Sequence, residues 1–228
     1  GKSFTITHQP LTEMSTQRTI VISGSNGRLG SRLAAGFLLG GDQVIGLDRS
    51  PRTGGDWPVI QMDATDEHSV QRAFEELEST YSTPNAVIHT VGMWAMSPFT
   101  ETSLDEWDVL LKLNLTSSFL VYREAVRHMG SSGGTLIGIT SRQGAVQGAA
   151  GQAGYSAAKG GLVRLIESIA AEFGASGICA HALAPSTILF GEEGEGVQAA
   201  DLVSHCQYLV SQAGVSLNGQ ILSAYGNG

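Results

Sequence analysis

Thr19-Ile20-Val21-Ile22-Ser23-Gly24-Ser25-Asn26-Gly27-Arg28-Leu29-Gly30 decides the fold of this 228-residue chain. The first four residues are β-branched throughout, the signature of a strand covered on both faces. Glycines at 24, 27 and 30 then allow a tight turn. The helical pattern of residues 28–39 follows at once, so backbone N–H groups at the helix start can approach an anion such as a pyrophosphate. A glycine triplet in a glycine-rich chain is weak by itself; its place between the first strand and the first helix gives it weight.

Outward from that turn, strand and helix patterns alternate. Gln43–Leu47, Val59–Met62, Ala86–Val91, Thr135–Thr140, Ile178–Leu183 and Gln220–Ala224 read as further strands. Helices are expected over 28–39, 66–81, 104–129, 154–174 and 198–212. Repeated strand–helix order predicts right-handed crossovers and an α/β fold: one doubly wound, Rossmann-type domain with a seven-stranded parallel sheet and helices on both faces. Residues 1–13 are polar and patternless and are expected to be a tag or loose extension, leaving 14–228 as a single domain.

Composition narrows the partners. A net charge of −8 disfavours nucleic acid and anionic lipid. Two cysteines, Cys179 and Cys206, offer neither a disulfide framework nor a cysteine-rich metal site and suit a reducing cytoplasm. No metal ligand set is expected, and no apolar run approaches the roughly 18 residues of a membrane span.

Two acidic residues mark strand ends. Asp48 closes the second strand, 18 residues beyond Gly30, where a carboxylate accepts hydrogen bonds from ribose hydroxyls and repels a 2′-phosphate. Arg28 and Arg49 could offset that repulsion, and a solvated loop carboxylate is the alternative reading. Asp63, in Asp63-Ala64-Thr65-Asp66, can reach an adenine amino group or cap the next helix, a task Thr65 or Asp66 would fill better.

Tyr155-Ser156-Ala157-Ala158-Lys159 opens another helix. At about 100° per residue, Tyr155 and Lys159 share a stripe with Leu162, Ile166, Ile169 and Phe173, which should pack against the sheet. A buried lysine without a task is costly. Beside a tyrosine its ammonium favours the phenolate and makes the phenol a general acid or base near working pH. The alternative is a chance pair with the lysine reaching out to solvent. Ser141, just after the fifth strand, stands where it could hold a substrate carbonyl. Asn114 is a polar residue in an otherwise apolar helix, placed either to bind a water linking Lys159 to solvent or to sit as a satisfied core amide.

The glycine turn, Asp48, Asp63, Asn114, Ser141, Tyr155-x-x-x-Lys159 and the closing Gly219-Gln220-Ile221-Leu222 together resemble the short-chain dehydrogenase/reductase family, from about Thr19 onward. The resemblance implies hydride transfer between a nicotinamide cofactor and a small-molecule carbonyl or secondary alcohol. Tyr155 would exchange the proton, Lys159 hold the ribose, Ser141 orient the substrate and Asn114 place a relay water. It assigns the cofactor to Gly24, Asn26, Gly27, Arg28, Leu29 and Gly30, then to Asp48, Arg49, Asp63 and Ala64, and finally to Thr90, Gly92, Tyr155, Lys159 and Pro185. NAD(H) is favoured, with NADP(H) the alternative, and a homodimer or homotetramer is implied. Other readings of the same residues are a non-catalytic nucleotide sensor and a lyase or epimerase with retained NAD.

The chain departs from the family pattern in four places. Two residues rather than three separate Gly24 from Gly27, and Arg28 stands where a glycine is usual. His89-Thr90-Val91-Gly92 replaces Asn-Asn-Ala-Gly, which makes His89 a structural residue in this reading. Pro185-Ser186 replaces Pro-Gly. The segment before the helix at 198 is short for a substrate lid and holds Gly191-Glu192-Glu193-Gly194-Glu195-Gly196, which predicts a mobile, anion-repelling loop beside an open cleft for neutral or cationic substrates. Trp94, Met96 and Phe99 are candidate pocket walls.

Overall fold

Burial on both faces shapes the centre of the molecule. In the computed structural model, which describes residues 17–51 and 54–228, Ile20, Val21 and Ile22 of the first strand have no solvent exposure. The reading of residues 1–13 lies outside the described residues. Among those described, the elements run β1 (Thr19–Ser23), α1 (Arg28–Leu39), β2 (Gln43–Asp48), β3 (Val59–Gln61), α2 (Glu67–Thr80) and β4 (Ala86–His89). They continue with α3 (Leu104–Leu111), α4 (Ser117–Met129), β5 (Gly134–Ile139), α5 (Arg142–Ala145), α6 (Ala153–Phe173) and β6 (Ile178–Pro185). A short ladder of β7 (Ile188–Leu189) and β8 (Val197–Gln198) precedes α7 (Ala199–Val210) and β9 (Ile221–Ala224).

Seven strands form one parallel sheet in the order β3-β2-β1-β4-β5-β6-β9, as the alternating pattern predicts. From β1 the chain winds toward β2; from β4 it winds toward β5. The crevice between the carboxyl ends of β1 and β4 is therefore the switch point where ligands of such sheets bind. One core cluster lies under α2, α4 and α6, with Phe74, Tyr122, Leu162 and Ile166 fully buried. The other lies under α1 and α7, which approach closely because Gly36 leaves room for Val203: a Cβ at Gly36 would sit 2.3 Å from Val203 Cγ1. Truncating a core side chain such as Leu162 or Ile166 costs about 2–5 kcal/mol.

Several boundaries differ from the sequence reading. The fourth strand stops at His89, not Val91, because the Thr90 hydroxyl turns back to donate to the Ser23 carbonyl at 2.8 Å. The sixth runs two residues further, to Pro185. The helix expected over 104–129 is interrupted by a π-helical segment, Lys112–Thr116, where Ser117 N–H donates to the carbonyl of Lys112. Such a wide turn often marks a functional position, and Asn114 sits inside it.

Candidate active site

The glycine turn is set by steric exclusion. Gly24 has φ +82°, and a Cβ there would meet Thr90 Oγ1 at 2.6 Å. A Cβ at Gly30 would stand 2.0 Å from the Gly24 carbonyl oxygen, so the first turn of α1 lies directly on the loop before it. Gly27 caps α1 without any side-chain hydrogen bond, leaving the helix start open to an outside acceptor. Gly24, Asn26, Gly27, Arg28, Leu29, Gly30, Asp48, Thr90 and Gly92 line this crevice together.

Asp48 holds the crevice's outer edge. Its carboxylate accepts from Asn26 N–H at 3.0 Å and Ser50 N–H at 3.1 Å, which ties β2 to the glycine turn. Arg28 points the other way: its guanidinium carbon lies 4.0 Å above the Phe190 ring, and Nη2 is 3.8 Å from Glu192 Oε1. Arg49 is exposed. Asp63 accepts from the backbone and hydroxyl of Thr65 at 2.9 and 2.8 Å, which lowers its carboxyl pKa, and Ala64 is buried in the core. Asp66, not Asp63, caps α2 through Ser69 N–H. Arg49 follows β2 and Asp63 and Ala64 follow β3, at the carboxyl edge of the sheet that also carries the crevice.

A second cleft adjoins the first through Leu29, Thr90 and Gly92, which line both. It brings together Asn114, Ser141, Tyr155, Lys159 and Pro185. α6 supplies two of these because its buried stripe of Lys159, Leu162 and Ile166 packs on the sheet. Lys159 is 6% exposed, and its ammonium donates to the Ile139 carbonyl at 2.8 Å. Burial brings its pKa down from 10.5 to about 8. Its Nζ is 5.8 Å from the centre of the Tyr155 ring.

Tyr155 departs from the expected direction. Burial raises its pKa above the ordinary 10, and a hydrogen bond with Ser141 pulls it only partly back. The Lys159 ammonium, 5.8 Å from the ring centre, is itself anchored to the Ile139 carbonyl at the sheet edge. Ser141 is 7% exposed; its hydroxyl donates to Gln143 Oε1 at 2.8 Å and accepts from Gln143 N–H at 3.3 Å.

Asn114 is 1% exposed and clamps the chain after β4: its oxygen accepts from Met93 N–H at 3.1 Å, and its amide donates to the carbonyls of Met93 and Leu110 at 2.8 and 3.0 Å. A Cβ at Gly92 would lie 2.7 Å from Asn114 Oδ1 and 3.3 Å from Lys159 Nζ. The two polar atoms therefore face one point in space, which only a glycine leaves open.

His89 is structural in its contacts. Ser117 Oγ donates to the Leu113 carbonyl, so it accepts from His89 Nε2–H at 3.0 Å; the other ring nitrogen then accepts from Ser23 Oγ–H at 2.9 Å. Burial lowers its pKa to about 3, and the ring stays neutral. The acidic segment after β6 is folded rather than loose: Phe190 N–H donates to Glu192 Oε2, and Gln198 bonds both Gly191 N–H and the Glu192 carbonyl. Phe190 and Glu192 were not singled out in the sequence as neighbours of the glycine turn; Arg28, standing where a glycine is usual, was the available signal. Among the described residues no helix is long and apolar enough to cross a membrane.

A glycine-lined crevice at the switch point of a parallel sheet is the architecture of dinucleotide-binding α/β proteins. Residues 47–207 match the family model described as enoyl-(acyl carrier protein) reductase. A short chain dehydrogenase/reductase of Colletotrichum higginsianum is 31% identical over 181 residues, 73% of this chain and 67% of that protein. An uncharacterized oxidoreductase of Bacillus subtilis is 30% identical over 191 residues, which are 77% of this chain and only 28% of that longer protein. A short chain dehydrogenase of Leptospira borgpetersenii, solved with bound NAD+, shares the fold with a TM-score of 0.85 at 20% identity, over 100% of this chain and 98% of that one. The chain belongs to the short-chain dehydrogenase/reductase family.

Proposed function

We propose that this chain is a nicotinamide-dependent oxidoreductase that interconverts a small-molecule carbonyl and a secondary alcohol, with residues 14–228 as one cofactor-binding and catalytic domain. The observation that carries the reading is the continuity of the two clefts: Leu29, Thr90 and Gly92 line both the glycine-turn crevice and the cleft of Ser141, Tyr155 and Lys159. A dinucleotide spanning them would lay its diphosphate on the open start of α1 and its reactive end beside Tyr155.

The donor set fits such a cofactor. The uncapped N-terminus of α1 suits a diphosphate, and the space that Gly30 and Gly24 keep clear lets the backbone approach it. A nicotinamide bound in the Tyr155 cleft would supply or accept the hydride. Tyr155 holds the proton at its hydroxyl oxygen. Because burial keeps that hydroxyl protonated, it starts as the donor to a substrate oxygen gaining negative charge. Ser141, which lines the same cleft as Tyr155, orients that oxygen. The Lys159 ammonium holds the ribose, and a water in the space facing Gly92 links it to Asn114 and resupplies the proton.

Asp48 supports NAD(H) over NADP(H), since its carboxylate at the crevice edge would repel a 2′-phosphate and Arg28 is turned toward Phe190. Beside Tyr155 lies a cavity of about 300 Å³ walled by Met93, Met96 and Leu110 with Asp105 and Glu106. Apolar walls with two carboxylates and no cation support a small neutral or cationic substrate. A homodimer or homotetramer in the cytoplasm belongs to the same reading.

The test is to titrate NADH and NADPH against the protein and then follow NADH oxidation with a panel of small ketones and aldehydes. NADH binding with turnover of a neutral carbonyl compound is expected. Absence of dinucleotide binding would overturn the proposal, and binding without net NADH change would turn it toward a sensor or an epimerase.

A further inference from the structure

We propose that Glu192 is the internal counter-ion of Arg28 and competes with the cofactor's diphosphate for it, so that cofactor arrival and release of the acidic loop are two sides of one exchange. This rests on the reading above that the crevice takes a dinucleotide.

Arg28 is the first residue of α1, and among the described residues lining the glycine-turn crevice it is the one cation. Its guanidinium carbon stands over the Phe190 ring, 4.0 Å from the centre, and Nη2 is 3.8 Å from Glu192 Oε1. The partner carboxylate is held out by a folded loop rather than by a wandering side chain. Glu192 Oε2 accepts from Phe190 N–H at 2.9 Å. Gln198 accepts from Gly191 N–H at 3.0 Å and donates to the Glu192 carbonyl at 3.0 Å. Beyond it, Asn227 accepts from Gly196 N–H at 2.8 Å and donates to the Gly194 carbonyl at 3.3 Å, so the C-terminal segment fixes the far half of the loop.

The pair itself is loose. At 3.8 Å between side chains 73% and 52% exposed, it is a charge contact without a close hydrogen bond, the weak class of ion pair. A diphosphate on the start of α1 carries two charges and offers the guanidinium fork closely spaced acceptors. It therefore takes Arg28 from Glu192, and the freed carboxylate, now beside an anion of like charge, moves the loop outward. The cation–π contact with Phe190 belongs to the cofactor-free state and is given up together with the Glu192 contact.

The test is a double-mutant cycle on NADH affinity with Glu192→Gln and Arg28→Gln, using adenosine as the phosphate-free control. Glu192→Gln is expected to tighten NADH binding by roughly two- to fivefold and to leave adenosine binding unchanged. In the Arg28→Gln background the same substitution is expected to change nothing. An unaltered or weakened NADH affinity in Glu192→Gln overturns the proposal, as does an equal gain without Arg28. Failure of the wild-type protein to bind NADH would overturn the dinucleotide reading as well, whereas normal binding with no Glu192 effect overturns this proposal alone.

Discussion

Replacing Lys159 with methionine separates what the buried ammonium costs from what it does. The side chain is 6% exposed, and its pKa falls from 10.5 to about 8 through burial. That gap corresponds to roughly 3 kcal/mol at 1.36 kcal/mol per pKa unit, charged against the folded state at neutral pH. Methionine has a similar length and no charge, but it forfeits the hydrogen bond to the Ile139 carbonyl, worth about 1 kcal/mol. Lys159→Met should therefore be more stable than the wild type by roughly 1–2 kcal/mol at pH 7, while losing turnover. The sign with pH follows from the protons bound. Between pH 8 and 10.5 the unfolded lysine keeps a proton that the folded one has released, so wild-type stability rises there relative to the variant. Urea unfolding of both proteins at pH 7 and pH 10 measures this, and other titrating groups cancel in the difference. A variant less stable at pH 7 by more than about 1 kcal/mol, or an advantage unchanged at pH 10, would refute the reasoning.

Three further outcomes are expected. Gly30→Ala places a Cβ 2.0 Å from the Gly24 carbonyl oxygen, so it should distort the turn and weaken NADH binding, read by titration, by roughly a hundredfold. Asp48→Asn removes the charge at the crevice edge and should lower the preference for NADH over NADPH roughly tenfold in kcat/KM. His181 is fully buried in β6, neither ring nitrogen has a hydrogen-bond partner among the described residues, and burial lowers its pKa to about 4. His181→Leu should stabilise the protein by about 1–3 kcal/mol at pH 7. In the wild type the unfolded histidine takes its proton first, so its contribution is full above pH 6.5 and is lost as pH falls through 4; a thermal-melt series across that range should show a shallower acid decline in the variant.

The sheet was legible because parallel strands covered on both faces must be apolar at their centres, as Ile20–Ile22 is within β1. The places of Ser141, Tyr155, Lys159 and Asn114 were legible from order and spacing, and they do line one cleft. Their contacts were not. The ammonium of Lys159 goes to the backbone of Ile139, an acceptor every residue carries and no pattern announces. The burial that raises the Tyr155 pKa is likewise a matter of packing, which spacing does not announce. The π segment escapes the sequence because one wide turn barely disturbs the helical period of residues 104–129; the only hint is an asparagine among leucines. The positions of Arg49, Asp63 and Ala64 after strand ends were legible too, but their contacts were not. The Thr65 turn that absorbs the Asp63 carboxylate and the burial of Ala64 are local outcomes of this loop. The contact of Arg28 with Phe190 and Glu192 joins distant parts of the chain through a loop whose glycines predict looseness, while its order comes from Gln198 and Asn227.

The proton relay is the central claim, and Tyr155→Phe tests it most directly, because the substitution removes one oxygen and leaves the ring. With a carbonyl substrate found in the panel, the account predicts that turnover falls by about 10²-fold or more while NADH affinity stays within a few-fold of the wild type. A Tyr155→Phe protein that turns over as fast as the wild type would contradict it.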